Sequence, residues 1–325
     1  MKRNIKKFLF PAVAVAVLSF AACSDWTETE SLDINYPTLE EQNPELYKQY
    51  LKALRDYKAG EHKVVLVSMD NTTSAPAQRN EHLTTMPDSV DIICLMNPDN
   101  LHPTLAGEFA KVREKGTRVI YNIDYNAIEK LWEKVLADEE ANKPEEPANP
   151  STPEATQDEG GEGGGEGEPT PEEELELRFL EFCRQQTVSQ LNLCAKYGYD
   201  GVQVNYTGRA PQAMQEEEKA QYAARQEAFF SNVKTWNEAN SGKVLVFQGN
   251  PQNLIDKSVL GECDYIVIPA LTATSADKMS FAVLMAAVED VPTDRFVIGV
   301  TTPSLTDLSD ESGYFSGYEA DGKTR

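Results

Sequence analysis

Histidine and cysteine are scarce in this chain of 325 residues, with three of the first and five of the second. His62, His82 and His102 pair with no cysteine in the sequence, and no stretch has metal-ligand spacing, so the sequence calls for no metal and no cofactor. Cys183 and Cys194 fall on one predicted helix, separated by roughly 16 Å along its axis, too far for a bridge. They and Cys94 and Cys263 read as buried thiols that pack as small hydrophobes. Basic residues are also short: 30 Lys and Arg stand against 53 Asp and Glu, a net charge of −23. Such a surface repels nucleic acid and anionic lipid headgroups, which excludes both as partners. Beyond the N-terminus no apolar run is long enough to span a membrane.

The N-terminus itself is distinctive. Met1-Lys-Arg-Asn-Ile-Lys-Lys is basic and precedes an apolar run from Phe8 to Ala22, short for a membrane span. The run ends in Leu18-Ser-Phe-Ala-Ala-Cys23, which resembles a bacterial lipobox, with Phe20 departing from its usual small or aliphatic residue. The expectation is a signal peptide over 1–22, acylation of Cys23 and an outer-membrane lipid anchor in place of a helix. Residues 23–42 are acidic and polar and read as a tether. Ser24-Asp25 and the acids after them resemble the export signals of cell-surface lipoproteins in Gram-negative bacteria.

From residue 43 onward apolar strands alternate with helical patterns. The strands are expected at Lys63–Met69, Val90–Met96, Arg118–Ile123, Gly201–Tyr206, Lys243–Phe247, Tyr265–Ile268 and Phe296–Val300. Helices are expected from Asn43-Pro44 to about Gly60, and over Thr104–Lys115, Ile128–Leu136, Glu173–Tyr197, Ala213–Asn240 and Ser275–Val288. Short apolar strands alternating with helices imply parallel βαβ units. A single α/β domain over 43–325, a (β/α)8 TIM-type barrel with seven strands identifiable, fits best. The eighth is not visible: either the barrel closes irregularly or the sequence is truncated at its C-terminus. An acidic Gly/Pro-rich insert at about 139–171, with Gly160-Gly-Glu-Gly-Gly-Gly-Glu-Gly at its middle, cannot bury enough apolar surface to fold and reads as a solvated loop.

One strand stands apart. In Asp200-Gly-Val-Gln-Val-Asn-Tyr-Thr207 the alternation sends Val202, Val204 and Tyr206 to one face and Gln203, Asn205 and Thr207 to the other. The remaining strands are mostly apolar on both faces, as a buried parallel sheet requires. A polar row aimed at an interior calls for an explanation.

These residues resemble the fourth-strand motif of glycoside hydrolase family 18, Asp-Gly-x-Asp-x-Asp-x-Glu. Asp88-Ser-Val-Asp-Ile-Ile-Cys94 is similar to the second strand of that family's endo-β-N-acetylglucosaminidase branch. The resemblance implies a TIM barrel and a site for sugars at the carboxyl ends of the strands. It also implies that the chemistry has changed. Gln203 and Asn205 stand where the family has its inner aspartates, Thr207 stands where it has its acid glutamate, and Leu271 falls near its strand-six tyrosine. In the family the glutamate protonates the leaving oxygen while an aspartate holds the substrate's N-acetyl group, one of the exceptions to the two-carboxylate rule. A threonine hydroxyl does not titrate near neutral pH and cannot be that acid.

The reading is therefore a non-catalytic surface glycan-binding lipoprotein for GlcNAc-containing, N-glycan-type glycans, serving companion glycosidases and an outer-membrane transporter. Its glycan-binding residues are expected to be Asp70, Asn71, Asn97, Asp124, Tyr125, Gln203, Asn205, Tyr206, Thr207, Gln248, Asn250 and Thr272, with the two tyrosines as stacking surfaces. Two alternatives remain open. One is an active endo-β-N-acetylglucosaminidase or chitinase-like hydrolase with its acid at Asp124, Asp70 or Glu319. The other is a docking lipoprotein that acts through its acidic insert.

Overall fold

The computed structural model describes residues 37–71, 74–142 and 169–304, then 306, 307, 309, 310 and 312–314. The stretch expected to be a signal peptide, Cys23, the expected tether up to residue 36, most of the acidic insert and Glu319 lie outside the described residues. Two compact units divide the chain, Met1–Tyr50 and Leu51–Arg325. In the first, helix α1 (Leu39–Gln42) starts at Thr38, whose hydroxyl accepts the Glu41 N–H while the Glu41 carboxylate accepts the Thr38 N–H. Helix α2 (Pro44–Ala59) begins there, with the Asn43 side chain accepting the Leu46 N–H.

The second unit is built on seven strands: β1 (Leu66–Met69), β2 (Ile92–Leu95), β3 (Arg118–Asp124), β4 (Gly201–Tyr206), β5 (Val244–Gly249), β6 (Tyr265–Pro269) and β7 (Phe296–Gly299). All six pairings are parallel and the spatial order is the chain order. Helices α3 (Pro103–Glu114), α4 (Tyr125–Ala141), α5 (Pro171–Tyr197), α6 (Glu216–Ala239) and α7 (Ala276–Ala286) fall between the strands. This is the sequential βα succession of a TIM-type barrel, curled but not closed. No eighth strand occurs among the described residues.

The sequence positions these elements closely. β4 and the end of α5 fall where the alternation and Gly198 put them, and Gly198 takes the left-handed conformation that ends the helix, at φ 71°. The first ladder is shorter than expected, since β1 pairs only from Leu66. Around the insert, α4 runs on to Ala141 and α5 opens at Pro171 with a Thr170–Glu173 capping box, so the helices reach into both margins of the polar stretch. Among the described residues no helix is long and apolar enough to cross a membrane.

Strand alternation makes two cores. On the concave side Ile92, Cys94, Ile120, Val244, Val246 and Val267 meet in the lower barrel. On the convex side Val202, Val204 and Tyr206 pack with Phe229, Phe230 and the other helix-facing side chains. All four described cysteines are buried and unbridged. Gly201 permits a close approach of two strands, because a Cβ there would sit 2.1 Å from the Val244 carbonyl oxygen. Covering weakens toward β7, where Phe281, Leu284 and Met285 of α7 and Ile298 of β7 are exposed.

Candidate functional site

The two residues of the β4 motif that survive literally stand at the foot of the strand. Asp200 accepts the Val119 N–H at 2.9 Å and pairs with the Arg113 guanidinium at 2.9 Å. Gly201 is the close-approach position. Both act on structure, at the amino ends of the strands.

The replaced positions lie on the concave face, and each meets a partner from the end of β3 or the first turn of α4. Asn122 faces Gln203 and Asp124 faces Asn205. Gln203 Nε2 donates to Asn122 Oδ1 at 3.1 Å, Asp124 and Asn205 share a side-chain hydrogen bond, and Asn126 Nδ2 donates to Thr207 Oγ1 at 3.0 Å. Three rungs of a polar ladder thus climb from the barrel interior to its carboxyl rim. Gln203 is fully buried and its Oε1 has no partner, whereas Asn205, Thr207, Asp124 and Asn126 are half-buried. Burial pushes the Asp124 carboxyl above the usual range, against a smaller lowering from the Asn126 N–H, which it accepts as the cap of α4.

The neighbouring strand ends are knitted by amides. Asn71 is buried and exchanges hydrogen bonds with the Asn97 backbone, at 2.8 Å to its carbonyl and 2.9 Å from its N–H. The Asn97 side chain donates to Asp70 at 2.7 Å. On the other flank the Asn250 and Asn253 side chains both donate to the Thr207 carbonyl, at 3.0 and 2.8 Å. Gln248, in register with Asn205, is half-buried on the concave face. Thr272 is set apart, lining a surface depression of about 450 Å³ with Leu271, Lys278 and Phe281. A hollow of about the same size, 450 Å³, opens at the amino ends of the strands between Arg118, Asp200 and Lys243. Size alone therefore does not locate the site, and the chemistry of the lining must.

Two expectations are corrected. Tyr125 and Tyr206 are 2% and 0% exposed and offer no stacking surface to a ligand. Tyr206 shares the convex face with Val202 and Val204, its ring 5.0 Å from that of Tyr125, and its hydroxyl receives the Gln226 amide at 2.9 Å. Strand parity foretold this, since Tyr206 alternates with Asn205. The expected set of glycan-binding residues also left out Asn122, Asn126 and Asn253. The first two could have been found, because Asn122-x-Asp124-x-Asn126 repeats the alternation of β4; Asn253 carries no such signal.

Seven parallel strands in chain order, with a polar row on the concave side of the fourth, define a barrel of the TIM class. The sequence matches glycoside hydrolase family 18, BT1044-like, over residues 27–158 and 172–320. The chain belongs to that family. Among solved structures it is similar to the BT1044 E190Q variant, at 16% identity and a TM-score of 0.50, covering 82% of this chain and 74% of that one. It is also similar to a GH18 chitinase from Pseudoalteromonas aurantia, at 11% identity and a TM-score of 0.44 over 78% and 84% of the two chains. The glycoside hydrolase domain of PelA from Pseudomonas aeruginosa is a third, at 14% identity and a TM-score of 0.32 over 72% and 75%. No curated protein matches.

Proposed function

We propose that this chain is a non-catalytic member of its family, a surface lipoprotein that holds GlcNAc-containing glycans of the N-glycan type across the carboxyl ends of β3, β4 and β5. The observation that carries this reading is position 207. A threonine stands where the family motif has its acid, and its hydroxyl is tied to the Asn126 amide. Hydrolysis needs a group that can protonate the leaving oxygen near neutral pH, and neither partner can. Binding needs hydrogen-bonding groups held in place, and the ladder supplies them.

Lipid anchorage at Cys23 and exposure at the cell surface belong to the same reading, as do a glycan transporter and companion glycosidases as partners. The test is calorimetry of the soluble chain against N-glycans and chitooligosaccharides, run beside a glycan-release assay. Binding with release at background supports the reading; turnover by the natural chain overturns it. One observation favours the hydrolase alternative: Asp124 is a half-buried carboxyl with a raised pKa, in register with the motif. If Asp124 is the acid, turnover is present and Asp124→Asn abolishes it.

A further inference from the structure

The hydrogen-bonding groups of the rim are unevenly used. Side-chain amides of the rim each spend at least one N–H within the protein: Asn126 Nδ2 on Thr207 Oγ1, Asn250 and Asn253 Nδ2 on the Thr207 carbonyl, Asn97 Nδ2 on Asp70 and Gln203 Nε2 on Asn122. Acceptor capacity is left over on the concave face of the β3–β4 pair. Gln203 Oε1, fully buried, has no donor. In the layer above it Asp124 holds a carboxylate whose contacts are the Asn126 N–H and the Asn205 side chain, both neutral. Among the described residues it makes no ion pair, and Lys130, exposed on α4, acts on it only through space. At the amino ends of the strands two carboxylates are matched, Asp91 by the His62 imidazole and Asp200 by Arg113. Arg209, near the same rim, is taken by Glu218 at 2.7 Å.

A ligand that completes this arrangement brings several donors and a positive charge. An acetamide brings one N–H and a carbonyl that itself needs a donor. A protonated amine brings three donors and the charge that a desolvated carboxylate lacks. Resting on the glycan site proposed above, we infer that Asp124 also binds the ammonium group of an unsubstituted 2-amino sugar, so that a glucosamine-type glycan with free amines binds more tightly than the same glycan fully N-acetylated. A chain of net charge −23 attracts such a polycation from a distance, and Asp124 fixes where one of its amines docks.

The experiment compares glucosamine tetrasaccharide with its fully N-acetylated counterpart by calorimetry on the full chain, at about 150 mM salt to screen diffuse attraction. It is run at about pH 6 and about pH 9, on either side of the range of an α-amino group. The expected result is an advantage for the amine form of about tenfold or more at the lower pH, largely lost at the higher. Asp124→Asn keeps the helix cap and should remove that advantage, bringing the affinities of the two forms together. Asp294→Asn, with the same change of charge at the amino ends of the strands, should leave both affinities unchanged. If the N-acetylated tetramer binds as well or better, and Asp124→Asn changes neither, the ammonium assignment falls while the glycan reading stands. An amine preference weakened equally by Asp294→Asn is diffuse charge attraction and also overturns the assignment. If neither tetramer binds, the inference fails, and the glycan reading is decided separately by the calorimetry against N-glycans.

Discussion

The two ends of the strands solve opposite problems with similar residues. At the amino ends an aspartate precedes each of β2, β4 and β6, and each locks the strand before it. Asp91 accepts the Val65 N–H at 2.8 Å, Asp200 that of Val119 at 2.9 Å and Asp264 that of Leu245 at 2.9 Å. The same residues return a backbone N–H to Val65, Val119 and Leu245. Two of them also have a side-chain partner, the His62 imidazole for Asp91 and the Arg113 guanidinium for Asp200. At the carboxyl ends the partners are neutral amides and a hydroxyl, and among the described residues neither the exposed Asp70 nor the half-buried Asp124 makes an ion pair. A carboxylate that accepts backbone N–H groups and meets a cation holds strands together; one left desolvated among amides is expensive and is kept for a ligand. This division follows the rule that barrel chemistry gathers at the carboxyl face and barrel stability at the other.

The largest effects should therefore come from the foot of β4. Gly201→Ala puts a methyl group 2.1 Å from the Val244 carbonyl oxygen, which only backbone displacement can relieve. We expect a loss of more than about 3 kcal/mol in urea unfolding. A loss under about 1 kcal/mol would mean that β4 and β5 separate easily and that the amino end is not rigid. Asp200→Ala leaves the Val119 N–H without its side-chain acceptor and Arg113 without its ion pair, and should cost about 2 kcal/mol by the same measurement.

Much of this was legible in advance, and for a physical reason. β4 could be read residue by residue because strand alternation has a period of two, so Gln203, Asn205 and Thr207 had to share a face. The same parity placed Tyr206 among the helices, yet an aromatic near a sugar motif invites a stacking role, and that inference overrode the geometry. Asn122 and Asn126 follow the same alternation, but their pairing with Gln203 and Thr207 depends on how β3 and β4 align across a long sequence separation, which local pattern does not record. The three aspartates that open even-numbered strands are visible in the sequence; their common function appears only when the neighbouring strand is in place.

The middle rank belongs to the lower rung. Gln203→Met removes an amide that satisfies Asn122 but leaves its own oxygen without a partner. The lost hydrogen bond and the removed unpaired acceptor should nearly cancel, giving a change within about 1 kcal/mol of zero. A loss of several kcal/mol would make Gln203 as structural as Asp200, and the contrast between the ends would collapse there.

The smallest and most discriminating change is Asp124→Asn. Burial holds the folded-state pKa of Asp124 above its unfolded value, so between those two values the folded protein binds more protons than the unfolded chain. Stability contributed by this group therefore falls as pH rises through that window, and at neutral pH the ionised carboxyl is a net burden on the fold. Asparagine is a good N-cap and can continue to accept the Asn126 N–H, so the helix start should survive the substitution. We expect Asp124→Asn to raise the unfolding midpoint slightly at pH 7, with the gain vanishing at about pH 3, where the natural carboxyl is also neutral. The same substitution at Asp200 should lower the midpoint, because it weakens the pairing with Arg113. Opposite signs from one chemical change at the two ends of neighbouring strands would establish the division of labour. A loss of stability at Asp124 comparable to that at Asp200 would show that its carboxylate, too, serves the fold.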